Sequence, residues 1–372
     1  MPRRAAKVRP FVEANADYER WLGARLRLRR GDLERKHAVM AESSFPFLRA
    51  TFYRWAERWP AICPELLEAP RVLAIGDLHV ENFGTWRDLE GRLVWGINDY
   101  DEAWPLPYPN DLVRLMTSAL LAIEHHDLEL APDATAEAIL RGYAAALESG
   151  PQPFVLAEHH HALHEMAVNR LKNPKMFWDK LDAMPRPRRG PPGSVRRTLA
   201  RELPDPDLEV RFVHRISGLG SLGRERWVAI AQWHGGQVAR EAKALAPSAC
   251  AWAEAKSGRE ARIYYRTVLE KAVRYPDPFL RVKRRWIIRR LAPDCSRVEL
   301  AALPRTRDEL ALLQAMGAET ASVHLGSASA KILRSDLKSR PTGWLTHAAA
   351  KMGDAVRADW KAWRSHWKKA KG

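Results

Sequence analysis

The chain alternates between long stretches with helical spacing and short apolar runs that stop abruptly at acids or glycines. Over residues 1–70, Leu22, Leu26, Leu28 and Leu33 recur among many charges. The blocks Phe45–Leu48 and Phe52, Tyr53 and Trp55 follow, and together they predict a helical amino-terminal segment. Between 71 and 110 the pattern changes. Arg71–Ile75 is a short β-type run ending at Gly76-Asp77, and Leu93–Ile97 is a second, ending at Asn98-Asp99. The intervening Asp88 to Gly91 suits a hairpin turn, so the two runs are expected to pair. Helical spacing returns through Leu112, Leu115, Met116, Ala119 and Leu120, and again over Ala134–Leu147.

The Pro/Arg/Gly-rich stretch Met184–Gly193 reads as a break, which makes 183–205 a linker or loop. Strand-like residues surround a glycine-rich turn over 206–243, and Pro247–Ala272 reads as helix. Arg285–Leu291 and Ser296–Leu300 read as further strands. A helix is expected over 307–326, and a basic, Trp-containing one from about 343. No regular βαβ rhythm is present, so the fold class is α+β rather than a doubly wound sheet. The divisions are a helical segment over 1–70, a first half over 71–182, the linker 183–205, a β-rich part over 206–302 and a helical segment over 303–372.

Composition narrows the partners. Of the 372 residues, 46% are hydrophobic, enough for a sizeable core, while 61 Lys+Arg against 45 Asp+Glu leave a net charge of +16. That balance favours anionic ligands such as nucleotides, or nucleic acid. A broad solvated basic surface accounts for the charge more simply than a nucleic-acid groove. The three cysteines, Cys63, Cys250 and Cys295, are widely spaced and form no CxxC, which argues against a disulfide framework or a zinc site. No secretory signal and no apolar stretch of roughly 20 residues is visible. A cytoplasmic protein with no membrane contact is expected.

The chemistry concentrates in two segments. Gly76-Asp77-Leu78-His79-Val80-Glu81-Asn82-Phe83-Gly84 follows one apolar run, and Asn98-Asp99-Tyr100-Asp101-Glu102 follows the other. Carboxylate and amide oxygens at loops after strands suit Mg²⁺, a hard cation that takes one or two carboxylates and completes its shell with substrate phosphates. Asp77 and Asn82 have the D-x-x-x-x-N separation of a kinase catalytic loop, in which the Asp takes the acceptor proton and the Asn binds metal.

These motifs, with Asn110-Asp111-Leu112 after them, resemble the catalytic core of the aminoglycoside phosphotransferase and choline kinase group. That resemblance implies Asp77 as catalytic base, Asn82 and Asp99 as metal ligands, Asp101 as their neighbour, and Asp111 as a structural acid opening the next helix. The His expected before Gly-Asp is Ile75 here. The series Phe45–Arg49, Gly76–Gly84 and Asn98–Ala103 resembles more closely the bacterial domain-of-unknown-function 2252 family, with Tyr100 in place of a Phe. The resemblance brings a kinase-like fold without a settled substrate.

Ser217-Gly218-Leu219-Gly220-Ser221-Leu222-Gly223 contains G-x-G-x-x-G. Glycines let backbone N–H groups approach phosphates. A dinucleotide fold needs a helix after the third glycine. Here Arg224–Ala231 reads as a strand, the kinase arrangement. Gly218, Gly220, Ser221 and Gly223 are therefore the expected nucleotide loop. Lys243 is the expected phosphate ligand, with Arg240 as the alternative, and Glu260 or Glu254 as the acid partner of the lysine. Because Asp77 precedes the glycine loop, the implied two-lobed kinase-like fold is circularly permuted, with additional helices at both termini. The expected activity is ATP- and Mg²⁺-dependent phosphoryl transfer to an unknown small-molecule or protein acceptor. AMP transfer on the same fold, and an inactive or nucleic-acid-binding protein, are the alternatives. His160 and His164, at i and i+4, read as a solvated helix face, and Trp360, Trp363 and Trp367 as a docking face.

Overall fold

Both apolar runs that end in acids become strands, but they do not pair with each other. The structure, a computed structural model, describes residues 9–156, 160–168, 171, 173–254, 262–295 and 306–371. β1 (Arg71–Ala74) pairs antiparallel with β4 (Trp104–Pro107), in the register Arg71↔Pro107 to Ala74↔Trp104. β3 (Leu93–Ile97) pairs with β2 (Phe83–Arg87), a run hidden in what reads as a loop, and with the two-residue β5 (Phe154–Val155). The tight turn expected at Asp88–Gly91 is present but joins β2 to β3 rather than the two acid-ended runs, and it is closed by Asp88, whose carboxylate accepts the Arg92 N–H at 2.9 Å. The two acidic loops are thus the β1–β2 and β3–β4 connections. Both come to one place because β1 pairs with β4 while β2 pairs with β3.

Helices surround this nucleus. α1 (Phe11–Gly23), α2 (Arg30–Glu42), α3 (Ser44–Ala50) and α4 (Phe52–Ile62) form the amino-terminal segment. α5 (Pro109–His126) and α6 (Pro132–Ser149) follow the second acidic loop. The helix Thr306–Leu325 packs along α6 so closely that a Cβ added at Gly142 would meet the Gln314 carbonyl. The last helix, Trp344–Lys371, lies against α5 and the amino-terminal helices. Its Trp363 is buried, sits edge-on to Phe11 and donates Nε1–H to the His37 carbonyl at 3.1 Å. This is the docking face expected of its Trp stripe.

The second half builds a five-stranded antiparallel sheet in the order β6 (Arg211–His214), β7 (Arg226–Trp233), β8 (Gly236–Ala244), β10 (Trp286–Leu291) and β9 (Arg281–Lys283). Alternation along β7 sends Trp227, Ala229 and Ala231 to one face and Val228 and Ile230 to the other. The first face is covered by a helix, Gly193–Arg201, through Val195 and Leu199. The stretch 183–205 is therefore not a plain linker: Pro191-Pro192 precede this helix instead of breaking it, as proline does at a helix start. The second face is covered by the helix Pro174–Asp182 through Phe177 and Leu181. The expected long helix over Pro247–Ala272 is instead two short ones, Ala249–Ala253 and Tyr265–Lys271, and the expected strand Ser296–Leu300 lies outside the described residues. The architecture is mixed α+β with small antiparallel sheets. Among the described residues no helix is long and apolar enough to cross a membrane.

Candidate functional site

The first acidic loop is held by a buried acid from the next helix. Asp111, in the first turn of α5, is fully buried, and its carboxylate accepts the Ile75 N–H at 2.7 Å and the Gly76 N–H at 3.0 Å. His324, from the helix Thr306–Leu325, bonds the same carboxylate through Nε2 at 3.0 Å, and its Nδ1 lies 2.9 Å from the Tyr143 hydroxyl. Gly76 has φ +80°, and a Cβ there would collide with the Glu102 carbonyl. Glycine is thus required for the chain to turn toward the second loop at that point.

This anchoring delivers Asp77. Its Oδ1 accepts two N–H bonds from the buried Arg114 of α5, Nε at 3.0 Å and an Nη2 contact. Its Oδ2 faces the glycine loop, 3.2 Å from where a Cβ on Gly220 would stand. Burial raises the affinity of Asp77 for a proton; Arg114 opposes this, while Glu102 and Asp99 add to it, and the net effect is upward. Such a carboxylate is disposed to accept a proton.

The end of the first loop, the second loop and β8 supply the rest. Asn82 donates Nδ2–H to the Asp99 carbonyl at 3.0 Å and to the Asp77 carbonyl at 3.3 Å, which ties the two loops together. Lys243, on β8, bridges the carboxylates, with Nζ 2.6 Å from Asp99 Oδ2 and 2.7 Å from Asp101 Oδ2. Burial works against ionisation of Asp99, but the Lys243 ammonium, followed by Arg289, outweighs it and depresses the group. Asp101 moves the other way, raised by burial and by the neighbouring Asp99 charge. Asp101 Oδ1 is buried and accepts no hydrogen bond among the described residues. A buried acceptor left open beside a second carboxylate and an amide is the donor set a Mg²⁺ ion takes. Among the described residues no three His, Cys, Asp or Glu side chains cluster as a complete metal cage. An ion at Asp99 and Asp101 would therefore complete its shell from the Asn82 amide, water and phosphate oxygens.

The roof is the glycine loop. Gly218, Gly220 and Ser221 line a cavity of about 80 Å³ together with Asp77, Asn82, Asp99 and Asp101. Gly223 sits at the end of the loop with φ +95°, packed on Leu33 and outside the cavity wall. Behind the loop, the sheet face that is apolar at Val228, Ile230 and Ala239 becomes charged at Arg226, Glu241, Lys243 and Arg289, aligned by the registers Arg226↔Lys243 and Arg289↔Glu241. Glu241 is buried among three guanidiniums: Arg215 at 2.5 Å, Arg226 at 2.7 Å and Arg289 at 2.8 Å. Burial alone would raise this carboxyl, but Arg226, Arg289 and Arg215 hold it well below the usual range. Arg226 also donates to Ser221 Oγ at 2.9 Å.

Of the residues singled out from sequence, Asp77, Asn82, Asp99, Asp101, Gly218, Gly220, Ser221 and Lys243 come together. Arg240 does not: being an odd number of residues from Lys243 it faces the other side of β8, and it donates to the Glu202 carbonyl at 2.7 Å. Glu254 accepts Trp104 Nε1–H at 3.2 Å, and the acids Lys243 meets are Asp99 and Asp101. Glu260 lies outside the described residues. His160 does not stand on a solvated helix face: it lies just before the helix His161–Val168 and is tilted against Phe154, with ring centroids 4.6 Å apart. Sequence reasoning passed over Arg114, Arg224, Arg226, Arg289 and Lys36. Arg114 carried a usable signal, a lone cation inside the apolar run Leu112–Leu121, which demands a buried acid partner.

Residues 30–186 match a bacterial family described as "Uncharacterized protein conserved in bacteria (DUF2252)", which supports the family resemblance over that part of the chain. No curated protein and no solved structure matches the chain.

Proposed function

We propose that the chain is a phosphotransferase that uses ATP and Mg²⁺ on a circularly permuted, kinase-like scaffold. The observation that carries the proposal is the joint lining of one cavity by the Asp77–Asn82 loop, the Asp99–Asp101 loop and the glycine loop, with Lys243 on the adjoining strand salt-bridged to both acids. These segments are distant in sequence, and a merely structural turn at each would not require their convergence.

In this reading the glycine loop and Lys243 hold the nucleotide phosphates. Asn82, Asp99 and Asp101 hold magnesium, which when bound supplies charge neutralisation on the transferred phosphoryl group. Asp77 orients an acceptor hydroxyl or amine and takes its proton. The acceptor atom forms the new bond to phosphorus, the bond from phosphorus to the leaving oxygen breaks, and ADP departs with that electron pair. Arg114 fixes Oδ1, so Oδ2 is the lone pair available to the acceptor. The cavity is far smaller than the roughly 300–1,000 Å³ of ligand pockets. Nucleotide entry on this account lifts the glycine loop from Asp77 and draws Lys243 off the acids onto phosphate.

Five antiparallel strands carrying the glycine loop and the lysine, placed after the acidic loops in sequence, support the permuted order. The test is product analysis of ATP turnover with a pooled set of hydroxyl and amine acceptors. ADP formation that is lost in Asp77→Asn is expected. AMP and pyrophosphate would move the account to nucleotidyl transfer. Turnover unchanged in Asp77→Asn would overturn the role of Asp77.

A further inference from the structure

The amino-terminal helices contribute a cation to the cavity for which the reading above has no task. Lys36, on α2, is 4% exposed and lines the cavity with Asp77 and Gly220. A lysine so buried is ordinarily paired with a carboxylate. Among the described residues, this one has no carboxylate within ion-pair distance. Its Nζ makes one long hydrogen bond, to the Gly220 carbonyl at 3.4 Å, and lies 5.8 Å from the Tyr53 ring centroid. The charged groups around it are Glu19 from α1, Asp77 and Glu102 from the two acidic loops, and Arg224 from the end of the glycine loop. Glu19 is taken by His37 at 2.6 Å, Asp77 by Arg114, and Glu102 by Arg224 at 3.1 Å. Each acid already has its own base, which leaves Lys36 surplus.

Its position is not a loose one. Arg29, just before α2, donates its N–H to the Gly223 carbonyl at 2.8 Å, and Leu28 bridges to Arg224. Asp32 bonds His214 of β6 at 2.8 Å, and Leu33 packs on Gly223. α2 is thereby fastened to both the sheet and the glycine loop, and Lys36 stands where the loop closes on Asp77. Two further buried donors on this wall, Arg49 Nε and Arg224 Nε, make no hydrogen bond among the described residues.

From this geometry we infer that Lys36 is a ligand for the terminal phosphate of the nucleotide, supplied from a helix outside the glycine-loop sheet and the acidic loops. The inference rests on the phosphotransferase reading and adds to it the group that distinguishes a triphosphate from a diphosphate. The terminal phosphate must lie between the glycine loop and Asp77 to be transferred, and Lys36 borders that gap. Burial lowers the affinity of the Lys36 ammonium for its proton, to a pKa of about 8, and an anion seated beside it would restore the lost stabilisation.

The test is calorimetric titration of Mg-ATP and Mg-ADP into the full chain, native and with Lys36→Gln, Lys36→Met or Lys36→Arg. Melting without nucleotide is measured alongside. The substitutions to Gln and Met are expected to leave melting unchanged or raise it, because a buried unpaired charge is removed. They are expected to weaken Mg-ATP by about tenfold or more while leaving Mg-ADP within about twofold, and Lys36→Arg is expected to retain most of the preference for ATP. Equal weakening of both nucleotides, or no change in either, overturns the assignment of Lys36 while leaving the site reading intact. Failure of the native chain to bind either nucleotide overturns the phosphotransferase reading, and the assignment of Lys36 with it.

Discussion

Replacing Asp111 with alanine should loosen the first acidic loop and destabilise the whole chain together. The carboxylate is fully buried and accepts the Ile75 and Gly76 N–H groups and the His324 ring. Alanine leaves two backbone donors and the His324 Nε2 without their partner, while His324 Nδ1 keeps the Tyr143 hydroxyl. At about 1–3 kcal/mol for each orphaned group, less what is regained by removing a buried charge, the net loss is about 3–5 kcal/mol. Unfolding entropy near 2.1 cal/mol/K per residue gives roughly 0.8 kcal/mol/K for 372 residues, so the melting midpoint should fall by about 4–6 °C. Asn at the same position keeps one acceptor oxygen and should lose about half as much. Differential scanning fluorimetry on the three proteins reads this directly. A shift below about 1 °C in Asp111→Ala would refute the reasoning, because the loop amides would then have been satisfied in some other way.

Three further substitutions separate stability from binding. Lys243→Met leaves Asp99 and Asp101 facing each other; with Asp99 35% exposed the loss should be modest, about 1–3 kcal/mol in denaturant unfolding, and millimolar Mg²⁺ should restore part of it in the variant but not in the native chain. Glu241→Gln strands three guanidiniums and should cost about 3–5 kcal/mol. Because the folded Glu241 carboxyl is depressed, its contribution is complete above its unfolded pKa of about 4.5 and is lost as pH falls through the lower folded value. The acid limb of the native stability profile, measured by melting from pH 7 to pH 3, should therefore be flatter in the variant. Gly220→Ala places a methyl 3.2 Å from Asp77 Oδ2 and 3.1 Å from the Arg49 carbonyl; melting should change by only about 1–2 °C while Mg-ATP affinity falls by about tenfold or more.

The sequence disclosed the site better than the scaffold that assembles it. Asp77, Asp99 and Asp101 stand out because two acidic segments each follow a short apolar run, Asn82 by its spacing from Asp77, and Lys243 because a strand follows the glycine loop. The pairing of β1 with β4 was not legible, since Trp104–Pro107 carries two prolines and shows no alternation. β2 was hidden because it begins one residue after Asn82 and contains Gly84. The helix Gly193–Arg201 was masked by the prolines before it. Lys36 was unreadable because nothing local distinguishes a lysine on a polar helix from a solvated one; its burial comes from the glycine loop, 184 residues away. Arg226 and Arg289 likewise gain meaning only from the sheet register that sets them on Glu241.

The central claim is a magnesium-dependent nucleotide site at Asp99, and a thermal shift with ATP, with and without Mg²⁺, on the native chain and on Asp99→Ala tests it most directly. A ligand at a hundred times its dissociation constant stabilises the fold by about 2.7 kcal/mol, or about 3 °C for a chain of this length. The account predicts that rise for the native chain with Mg-ATP, a much smaller one without the metal, and none for Asp99→Ala. No shift of the native chain at millimolar Mg-ATP, or an equal shift in Asp99→Ala, would contradict it.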